Sequence, residues 1–267
     1  MPFSLATVLK LHTFLTLLLC LAGSAAAQPM AALERFGFDV IERVAQPRDH
    51  FVQGLQLHDG LLYLGTGLYG ESRLLIYEFP AMKLRQSAAL PETLFGEGVT
   101  RFGDRVYQLT WREGKILTYD AATLEAGSTH AINTEGWGIT HDGRQLIYSD
   151  GSPRLRFLDP EDLSVQREVT VTLNGRALPR INELEYVDGA VWANVWQANQ
   201  LVRIDPASGV VTAIADLRGI LAPEDRRPDT DVLNGIAWDG EANTLWVTGK
   251  RWPWIYRIRL IPQRPGA

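Results

Sequence analysis

The feature that most constrains the fold is a sequence repeat that returns five times along the 267-residue chain. Each unit begins with a short apolar strand that ends near an Asp-Gly or Gly-Asp dipeptide. The units begin at Gly54, Gly98, Gly138, Glu183 and Gly235, which lie 44, 40, 45 and 52 residues apart. Asp-Gly between alternating strands favours a two-residue hairpin turn, because both turn residues need a positive φ.

Each unit continues with further segments that have the pattern of strands. The second strands are Leu61–Gly65, Val106–Thr110, Leu146–Ser149, Val191–Val195 and Leu245–Thr248. A third strand follows in every unit. A fourth strand follows in the first four units, at Leu84–Leu90, Gly127–Asn133, Gln166–Thr172 and Val210–Asp216. A period of about 40–50 residues with three or four short strands is typical of a β-propeller blade.

The fifth unit lacks a fourth strand, and an unpaired segment at the other end of the chain can supply it. Phe38–Val44 alternates apolar and polar residues and has no other partner. We therefore predict an all-β fold, a five-bladed β-propeller closed by an N-terminal strand that completes the last blade. Closure leaves no long sheet edge exposed and ties down both ends of the chain. An open sandwich of five hairpins is the alternative architecture.

The first 27 residues have the pattern of a secretory signal peptide. An apolar run from Phe14 to Gly23 is followed by three alanines at 25–27, which form a small-residue cleavage site. The run is too short to span a bilayer. We expect residues 28–267 to form a single exported domain, periplasmic or secreted, with no membrane attachment after cleavage. A retained anchor helix and a lipid attached at Cys20 are the alternatives.

Charge and cysteine content argue against several classes of function. The formal net charge of −5 gives no driving force for binding a phosphate backbone, so no nucleic-acid partner is expected. The single cysteine argues against a disulfide scaffold and against a multi-thiolate metal site. We expect a monomer that needs no cofactor.

Residues just before the repeat starts are expected to converge at one mouth of a central channel, because the first strand of each blade lines the axis. They are Gln53, Glu97, Trp137, Asn182 and Asn234. A second set, at the ends of the second strands, comprises Trp111, Trp196 and Lys250, with Gly67 and Gly151 leaving space in the first and third units. Tryptophans, a carboxylate, an ammonium and carboxamides predict a pocket for a small polar group with an apolar body.

Other chemistries find less support in the same residues. The histidines are not at metal-ligand spacing, and no Ser-His-Asp arrangement can be identified. A calcium site built from the oxygens of Glu97, Asn182 and Asn234 is an open alternative. We interpret the long segment from Leu217 to Asp231 as a solvated surface loop, with a flap over the channel as its alternative.

Short segments in every unit, in the same order and at suitable spacing, match one known family. They are 51–55, 65–70, 95–98, 108–111, 135–138, 149–152, 182–185, 193–196 and 248–250. Through them, from about Phe38 to Leu260, the chain resembles the zinc-independent glutaminyl-peptide cyclotransferases of plants and bacteria. The resemblance implies a five-bladed propeller, in agreement with the repeat count. It also implies conversion of the N-terminal glutamine of peptides or proteins into pyroglutamate, with release of ammonia.

The resemblance implies roles for the site residues as well. Glu97 is expected to act as general acid and base, with Lys250 and Asn182 as further catalytic residues and no bound metal. The expected substrate-binding residues are Gln53, Phe95, Trp111, Trp137 and Trp196. Tryptophan packing should raise the pKa of Glu97 and Lys250 should lower it, and the sequence leaves that balance open.

Two other functions fit parts of the pattern. A calcium-dependent lactonase or sugar-acid hydrolase on a similar propeller needs several carboxylates at the axis, whereas we expect Glu97 alone there. A non-catalytic envelope propeller that binds peptides or glycans explains the tryptophans but has no need for a buried glutamate.

Overall fold

The computed structural model describes residues 33–264, so the predicted signal peptide lies outside the described residues. Residues 33–264 form twenty-two β-strands and one short 3-10 turn at Pro223–Asp225. The first thirteen strands are β1 Glu34–Ala45, β2 Val52–His58, β3 Leu61–Thr66, β4 Arg73–Glu78, β5 Lys83–Ala89, β6 Gly96–Phe102, β7 Arg105–Thr110, β8 Lys115–Asp120, β9 Ala126–Ala131, β10 Ile139–His141, β11 Leu146–Ser149, β12 Arg154–Leu158 and β13 Val165–Thr170. The others are β14 Thr172–Leu173, β15 Arg176–Ala177, β16 Ile181–Val187, β17 Ala190–Val195, β18 Gln200–Ile204, β19 Val211–Asp216, β20 Leu233–Asp239, β21 Thr244–Gly249 and β22 Trp254–Pro262.

The strands of the described chain assemble into small sheets, which makes the fold all-β and propeller-like. Strands β2–β5, β6–β9 and β10–β13 each form a four-stranded antiparallel sheet in chain order. The remaining long strands form an eight-stranded sheet in the order β16-β17-β18-β19-β1-β22-β21-β20. The short hairpin β14–β15 was not predicted from the sequence; it stands apart from these sheets.

The N-terminal strand β1 pairs with the last strand, which is the pairing that the repeat pattern predicts. Its antiparallel register with β22 runs from Phe36 opposite Pro262 to Ala45 opposite Trp254. Its first residues, Glu34–Phe36, also pair in parallel with β19. The strand therefore joins the two halves of the eight-stranded sheet.

Neighbouring sheets pack face to face, and apolar clusters fill the spaces between them. Tyr63 and Ile76 of the first sheet pack against Val99 and Leu117 of the second. The inner strands are buried on both faces, so that β3 is buried at five consecutive residues, whereas the outer strand β5 is mostly exposed.

The hairpin turns agree only partly with the expected geometry. In the first and fourth units both turn residues have a positive φ, at Asp59-Gly60 and Asp188-Gly189. In the third unit only Gly143 has one. In the fifth the turn is longer and its left-handed residue is Asn243. A longer loop relieves the requirement for two left-handed residues, so Asp-Gly marks the turns without dictating one type.

The first strands of the units approach one another so closely that side chains do not fit at most repeat starts. A Cβ on Gly98 would lie 2.7 Å from the carbonyl oxygen of Trp137, and Gly54 and Gly138 are equally crowded by backbone. The fourth unit has Glu183 at this place. Its carboxylate accepts hydrogen bonds from the backbone N–H groups of Leu55, at 3.2 Å, and Ile236, at 2.7 Å.

The prediction that Glu97 is the only carboxylate at the axis is therefore wrong. Glu183 and Glu185, both on β16, are buried there as well. The oxygens of Glu185 accept hydrogen bonds from the N–H of Trp238, at 2.8 Å, and the hydroxyl of Thr140, at 3.4 Å. The pattern missed both residues because it compared only the positions just before the repeat starts. Their oxygens bind protein groups, so they serve to tie the inner strands together.

Residues 33–264 contain no helix with the length and apolar character that crossing a membrane requires.

Candidate active site

One cavity of about 280 Å³ brings together all eight residues that the sequence analysis singled out for the site. The predicted residues that line it are Gln53, Phe95, Glu97, Trp111, Trp137, Asn182, Trp196 and Lys250. Phe51, Leu68 and Asp231 complete the lining. Asn234, also expected at this mouth, does not line the cavity.

Strand order explains why residues so far apart in sequence converge. Gln53, Glu97 and Asn182 lie at the beginning of the inner strands β2, β6 and β16. Trp111, Trp196 and Lys250 directly follow the ends of β7, β17 and β21. Because the first and second strands of a unit are antiparallel, the beginning of one and the end of the next lie at the same edge of the sheet.

Glu97 lines the cavity and is 5% exposed. The Nε2 of Gln53 donates a hydrogen bond to its Oε1 at 3.1 Å. Burial raises the pKa of Glu97 well above its usual value, the Lys250 ammonium opposes that rise, and the carboxylates of Glu135 and Glu113 add to it. The sequence left open whether burial or Lys250 has the larger effect on the pKa of Glu97. Burial has the larger effect, so the pKa is raised.

Gln53 is held in one orientation by Asn234. The Nδ2 of Asn234 donates to the carbonyl oxygens of Val52, at 3.1 Å, and Gln53, at 3.3 Å, and approaches the Oε1 of Gln53 at 3.4 Å. Because the Oε1 of Gln53 faces a donor, its Nε2 faces Glu97. Asn234 thus supports the cavity from outside.

Lys250 is buried, and burial lowers its pKa while Glu97 and Asp231 oppose that change. Its Nζ lies 4.9 Å from the centroid of the Phe51 ring, a cation–π distance. The backbone of Lys250 is fixed by hydrogen bonds with Asp231 and Val232. A buried ammonium beside a buried carboxyl group can stabilise negative charge that develops on a ligand between them.

The aromatic walls are locked against one another. Phe95 and Trp111 pack edge to face with centroids 5.3 Å apart, and Trp137 and Trp196 do so at 5.7 Å. The indole N–H groups of Trp111 and Trp137 both donate to Oε2 of Glu135, at 2.9 Å and 2.8 Å. Glu135 therefore joins two walls of the cavity, although it does not line the cavity itself.

The prediction that Gly67 and Gly151 leave space in the channel needs a correction. The Phe95 ring occupies the place where a Cβ on Gly67 would lie. A Cβ on Gly151, where φ is +77°, would lie 2.6 Å from the Trp137 ring. These glycines make room for the aromatic walls, and the space is not open to a ligand.

The Oδ1 of Asn182 is a buried acceptor without a hydrogen-bond partner among the described residues. Because Asn182 lines the cavity, the N–H group of a ligand can donate a hydrogen bond to this oxygen. A carboxamide or an amine carries such a group.

Of the three residues proposed for a calcium site, Glu97 and Asn182 line the cavity and Asn234 does not. Asn234 lies outside the cavity and donates its amide to Gln53 and Val52. Within residues 33–264 no three His, Cys, Asp or Glu residues form a cluster that can hold a metal ion.

The segment from Leu217 to Asp231 touches the cavity only through its last residue. Asp231 lines the cavity. Asp225 instead contacts residues near the end of β1: its carboxylate lies 3.6 Å from Arg43, and its carbonyl oxygen accepts a hydrogen bond from Arg48 at 2.8 Å. Residues 223–229 are mostly exposed, which agrees with the interpretation as a surface loop. The beginning of the segment does not, because Leu217, Ile220 and Leu221 are buried in an apolar cluster.

Sequence reasoning missed four residues of the site. Phe51 and Leu68 fall inside the quoted motifs but carry no polar group that draws attention to them. Asp231 ends the long loop. Glu135 lies two residues before Trp137, and its link to Trp111 across the cavity has no counterpart in the sequence pattern.

The fold and the cavity together define a class: an all-β, propeller-like protein with a buried acid in an aromatic pocket at one end of the inner strands. Comparison with known proteins narrows this class. A model of the family described as glutamine cyclotransferase matches residues 13–260. The chain is 38% identical over 229 residues to a glutaminyl-peptide cyclotransferase of Arabidopsis thaliana, covering 83% of this chain and 71% of the relative.

A solved structure agrees with these sequence relatives. The crystal structure of Myxococcus xanthus glutaminyl cyclase superposes with a TM-score of 0.80 at 30% identity, covering 87% of this chain and all of the other. The chain belongs to the glutamine cyclotransferase family, which confirms the family predicted from its motifs.

Proposed function

We propose that this chain is an enzyme that converts the N-terminal glutamine of peptides and proteins into pyroglutamate, with Glu97 carrying the proton. Family membership and the two named relatives support the activity. The role of Glu97 is supported by one observation above all. It is a buried carboxyl group with a raised pKa that lines an aromatic cavity and accepts a hydrogen bond from Gln53.

The reaction needs a single proton carrier. The neutral α-amine of the substrate attacks the carbon of its own side-chain carboxamide and closes a five-membered ring. The attacking nitrogen loses one proton to Glu97, and Glu97 passes that proton to the departing nitrogen. The old carbon–nitrogen bond then breaks, ammonia leaves and Glu97 returns to its starting state. A carboxyl group whose pKa lies nearer neutrality suits both steps better than one near 4.3.

The other residues of the cavity support this chemistry by position. The aromatic walls can hold the glutamine side chain curled towards its own amine, which lowers the entropic cost of ring closure. The free Oδ1 of Asn182 can accept an N–H of the carboxamide. The Lys250 ammonium can stabilise the negative charge that develops on the carboxamide oxygen.

We further propose that the sheets are the five blades of a closed propeller. The eight-stranded sheet would then be two blades, β16–β19 and β20–β22 with β1, joined at their outer edges by the short parallel pairing of β1 with β19. Packing supports a ring, because one apolar cluster joins the first sheet to β20–β22 and another joins the third sheet to β16–β19.

The proposal is tested by incubating the protein with glutamine-initiated dipeptides, without added metal, and following ammonia release and the mass of the product. Glu97→Gln should lower kcat by about 10²–10⁴-fold, the usual contribution of general acid–base catalysis. Peptide binding should persist in this variant. Glu161→Gln, on an exposed outer turn, serves as the matched control. Near-normal turnover by Glu97→Gln would remove Glu97 from the mechanism.

Adding a chelator to the same assay distinguishes the proposed function from the calcium-dependent alternative. Activity that is unchanged by EDTA agrees with proton transfer by Glu97 alone, whereas activity that EDTA removes and calcium restores would favour a metal-dependent hydrolase. The axial carboxylates Glu183 and Glu185 do not favour that alternative, because backbone N–H groups already engage them.

A further inference from the structure

A second cavity, also of about 280 Å³, adjoins the cavity that contains Glu97, which we call the glutamine pocket. Asp231 belongs to both cavities, and Gln197 of the second directly follows Trp196 of the first. The second cavity is mainly polar and is lined by Gln197, Asn199, Arg226, Thr230, Asp231 and Trp252. We call it the side cleft. Its position makes it the continuation of the pocket along the protein surface.

The side cleft contains a cation that the protein leaves unpaired. Two of the three nearby acids are engaged elsewhere, since Asp225 pairs with Arg43 at 3.6 Å and Asp229 with Arg251 at 3.2 Å. The third, Glu224, forms no salt bridge with Arg226 or with any other residue of the described chain. Among residues 33–264, Arg226 itself forms no salt bridge. Its exposed guanidinium is therefore available to an external anion.

A second guanidinium lies beside the same cleft. Arg180 donates to the Oε1 of Gln197 at 3.2 Å and lies 5.8 Å from the Trp196 ring, and no acid among the described residues pairs with it. The carboxylate of Asp231 faces Lys250 on the pocket side, and its Oδ1 accepts the N–H of Val232 at 2.7 Å. Asp231 can accept one further N–H at its other oxygen, while Arg226 and Arg180 can only donate.

We propose that the side cleft binds the residues that follow the N-terminal glutamine of the substrate, and that Arg226 pairs with a carboxylate side chain there. This proposal rests on the proposed function, because it places the glutamine in the adjoining pocket. The peptide chain must leave the pocket through its open side, and the side cleft offers acceptors for main-chain N–H groups at Asp231 and Asn199. An arginine binds a carboxylate through two parallel hydrogen bonds, which favours Glu or Asp over Lys in this segment.

Binding and turnover test the proposal separately. Peptides Gln-Xaa-Ala-amide with Xaa as Glu, Gln or Lys are titrated into the Glu97→Gln protein by calorimetry, and ammonia release is measured with the unaltered protein. The terminal amide removes any other carboxylate. We expect the Glu peptide to bind about three- to tenfold more tightly than the Lys peptide, as one partly exposed charge-assisted pair allows.

Arg226→Gln should reduce that preference to less than about twofold, whereas Arg227→Gln should leave it unchanged. Arg227 is the matched control because it is the neighbouring exposed arginine and does not line the side cleft. Equal binding of the three peptides, or an equal effect of both arginine variants, would overturn the proposal. A third outcome is charge-dependent binding that Arg226→Gln abolishes, with no ammonia released from any peptide. That outcome would support peptide binding in the side cleft and overturn the proposed cyclotransferase activity.

Pyroglutamyl-Glu-Ala-amide and its Lys counterpart provide a second measurement, because they are products and do not react. Titrated into the protein with Glu97 intact, they should show the same preference and the same sensitivity to Arg226→Gln. Absence of a charge preference with these peptides too would count against the proposal.

Discussion

At the scale of single residues, the surroundings of Glu97 combine opposing influences. Burial and the carboxylates of Glu135 and Glu113 raise its pKa, and Lys250 lowers it. Because Glu97 is buried, solvent screens its interactions with nearby charges only weakly. Each neighbouring charge therefore changes its pKa more than it would at the surface. The pH dependence of the reaction should therefore report these neighbours individually.

Lys250→Met should move the acidic limb of kcat/KM to higher pH. Lys250 favours the ionised form of Glu97, so its loss raises the pKa of Glu97 further, and the carboxylate needed to accept a proton forms only at higher pH. We also expect kcat to fall by about 10²-fold as the positive charge near the carboxamide oxygen is lost. The pH profile of a Gln-Ala-amide substrate measures both effects. An unchanged acidic limb would show that Lys250 does not affect the pKa of Glu97.

Glu135→Gln should move the same limb in the opposite direction. Glu135 raises the pKa of Glu97, so removing its charge lets Glu97 ionise at lower pH, while the amide oxygen can still accept the indole N–H groups of Trp111 and Trp137. Glu135→Ala removes that acceptor too and should raise KM by up to about thirtyfold, since about 1 kcal/mol is at stake for each of the two hydrogen bonds. Glu161→Gln controls for a simple change in net charge. An unchanged pH profile in Glu135→Gln would show that Glu135 acts only on the walls.

At the scale of elements, the inner strand β16 carries two buried acids that form hydrogen bonds with the neighbouring inner strands. Glu183 reaches the backbone of β2 and β20, and Glu185 reaches β20 and Thr140 of β10. Burial raises the pKa of Glu183 well above its usual value and that of Glu185 to about 8. An acid whose pKa is higher in the folded than in the unfolded state holds a proton that the unfolded chain has released.

The stability of the fold should therefore fall as pH rises from about 5 to 9. The contribution of Glu185 is fully present below its unfolded pKa and is lost as pH rises through about 8. Glu185→Gln removes its share of this slope, at most about 1.4 kcal/mol per pH unit, so the variant should gain stability relative to the native sequence at high pH. Urea unfolding at pH 5, 7 and 9 measures the difference. Parallel slopes for the two proteins would mean that Glu185 does not change its protonation on folding.

At the scale of the whole molecule, β1 connects the start of the described chain to its end. Its antiparallel pairing with β22 and its short parallel pairing with β19 cover two strand edges that would otherwise be open. Phe36 and Phe38 anchor it, because both pack against the cluster that includes Leu217, Leu245 and Ile258. Phe36 also meets Trp192 edge to face, with centroids 6.3 Å apart.

Phe38→Ala should destabilise the protein by about 2 kcal/mol, roughly half the cost of deleting a fully buried phenylalanine. Val40→Ala, two residues along the same strand at a site that is 44% exposed, should cost less than about 1 kcal/mol and serves as the control. Urea denaturation followed by tryptophan fluorescence measures both. Equal effects would indicate that strand pairing, and not this packing, holds β1 in place.

The all-β character, the five sequence repeats and most of the residues of the pocket could be predicted from the amino-acid sequence. This is possible because strands follow from local alternation, and because equivalent positions in successive repeats must lie at the same end of the inner strands. Seven of the eight predicted residues meet in one cavity for that reason, and the eighth, Phe95, was expected from the family resemblance. Glycine at four of the repeat starts is visible in the sequence. The structure explains it by backbone crowding at Gly54, Gly98 and Gly138 and by a φ of +120° at Gly235.

The contacts between repeat units could not be predicted from the sequence and follow from the three-dimensional fold. The bridge from Glu135 to two indoles, the axial place of Glu183 and Glu185, and the filling of the Gly67 and Gly151 spaces by Phe95 and Trp137 all join residues from different parts of the chain. The raised pKa of Glu97 was undecided for the same reason. Desolvation and Coulomb forces depend on distances and burial in three dimensions, and a linear pattern carries no information on either.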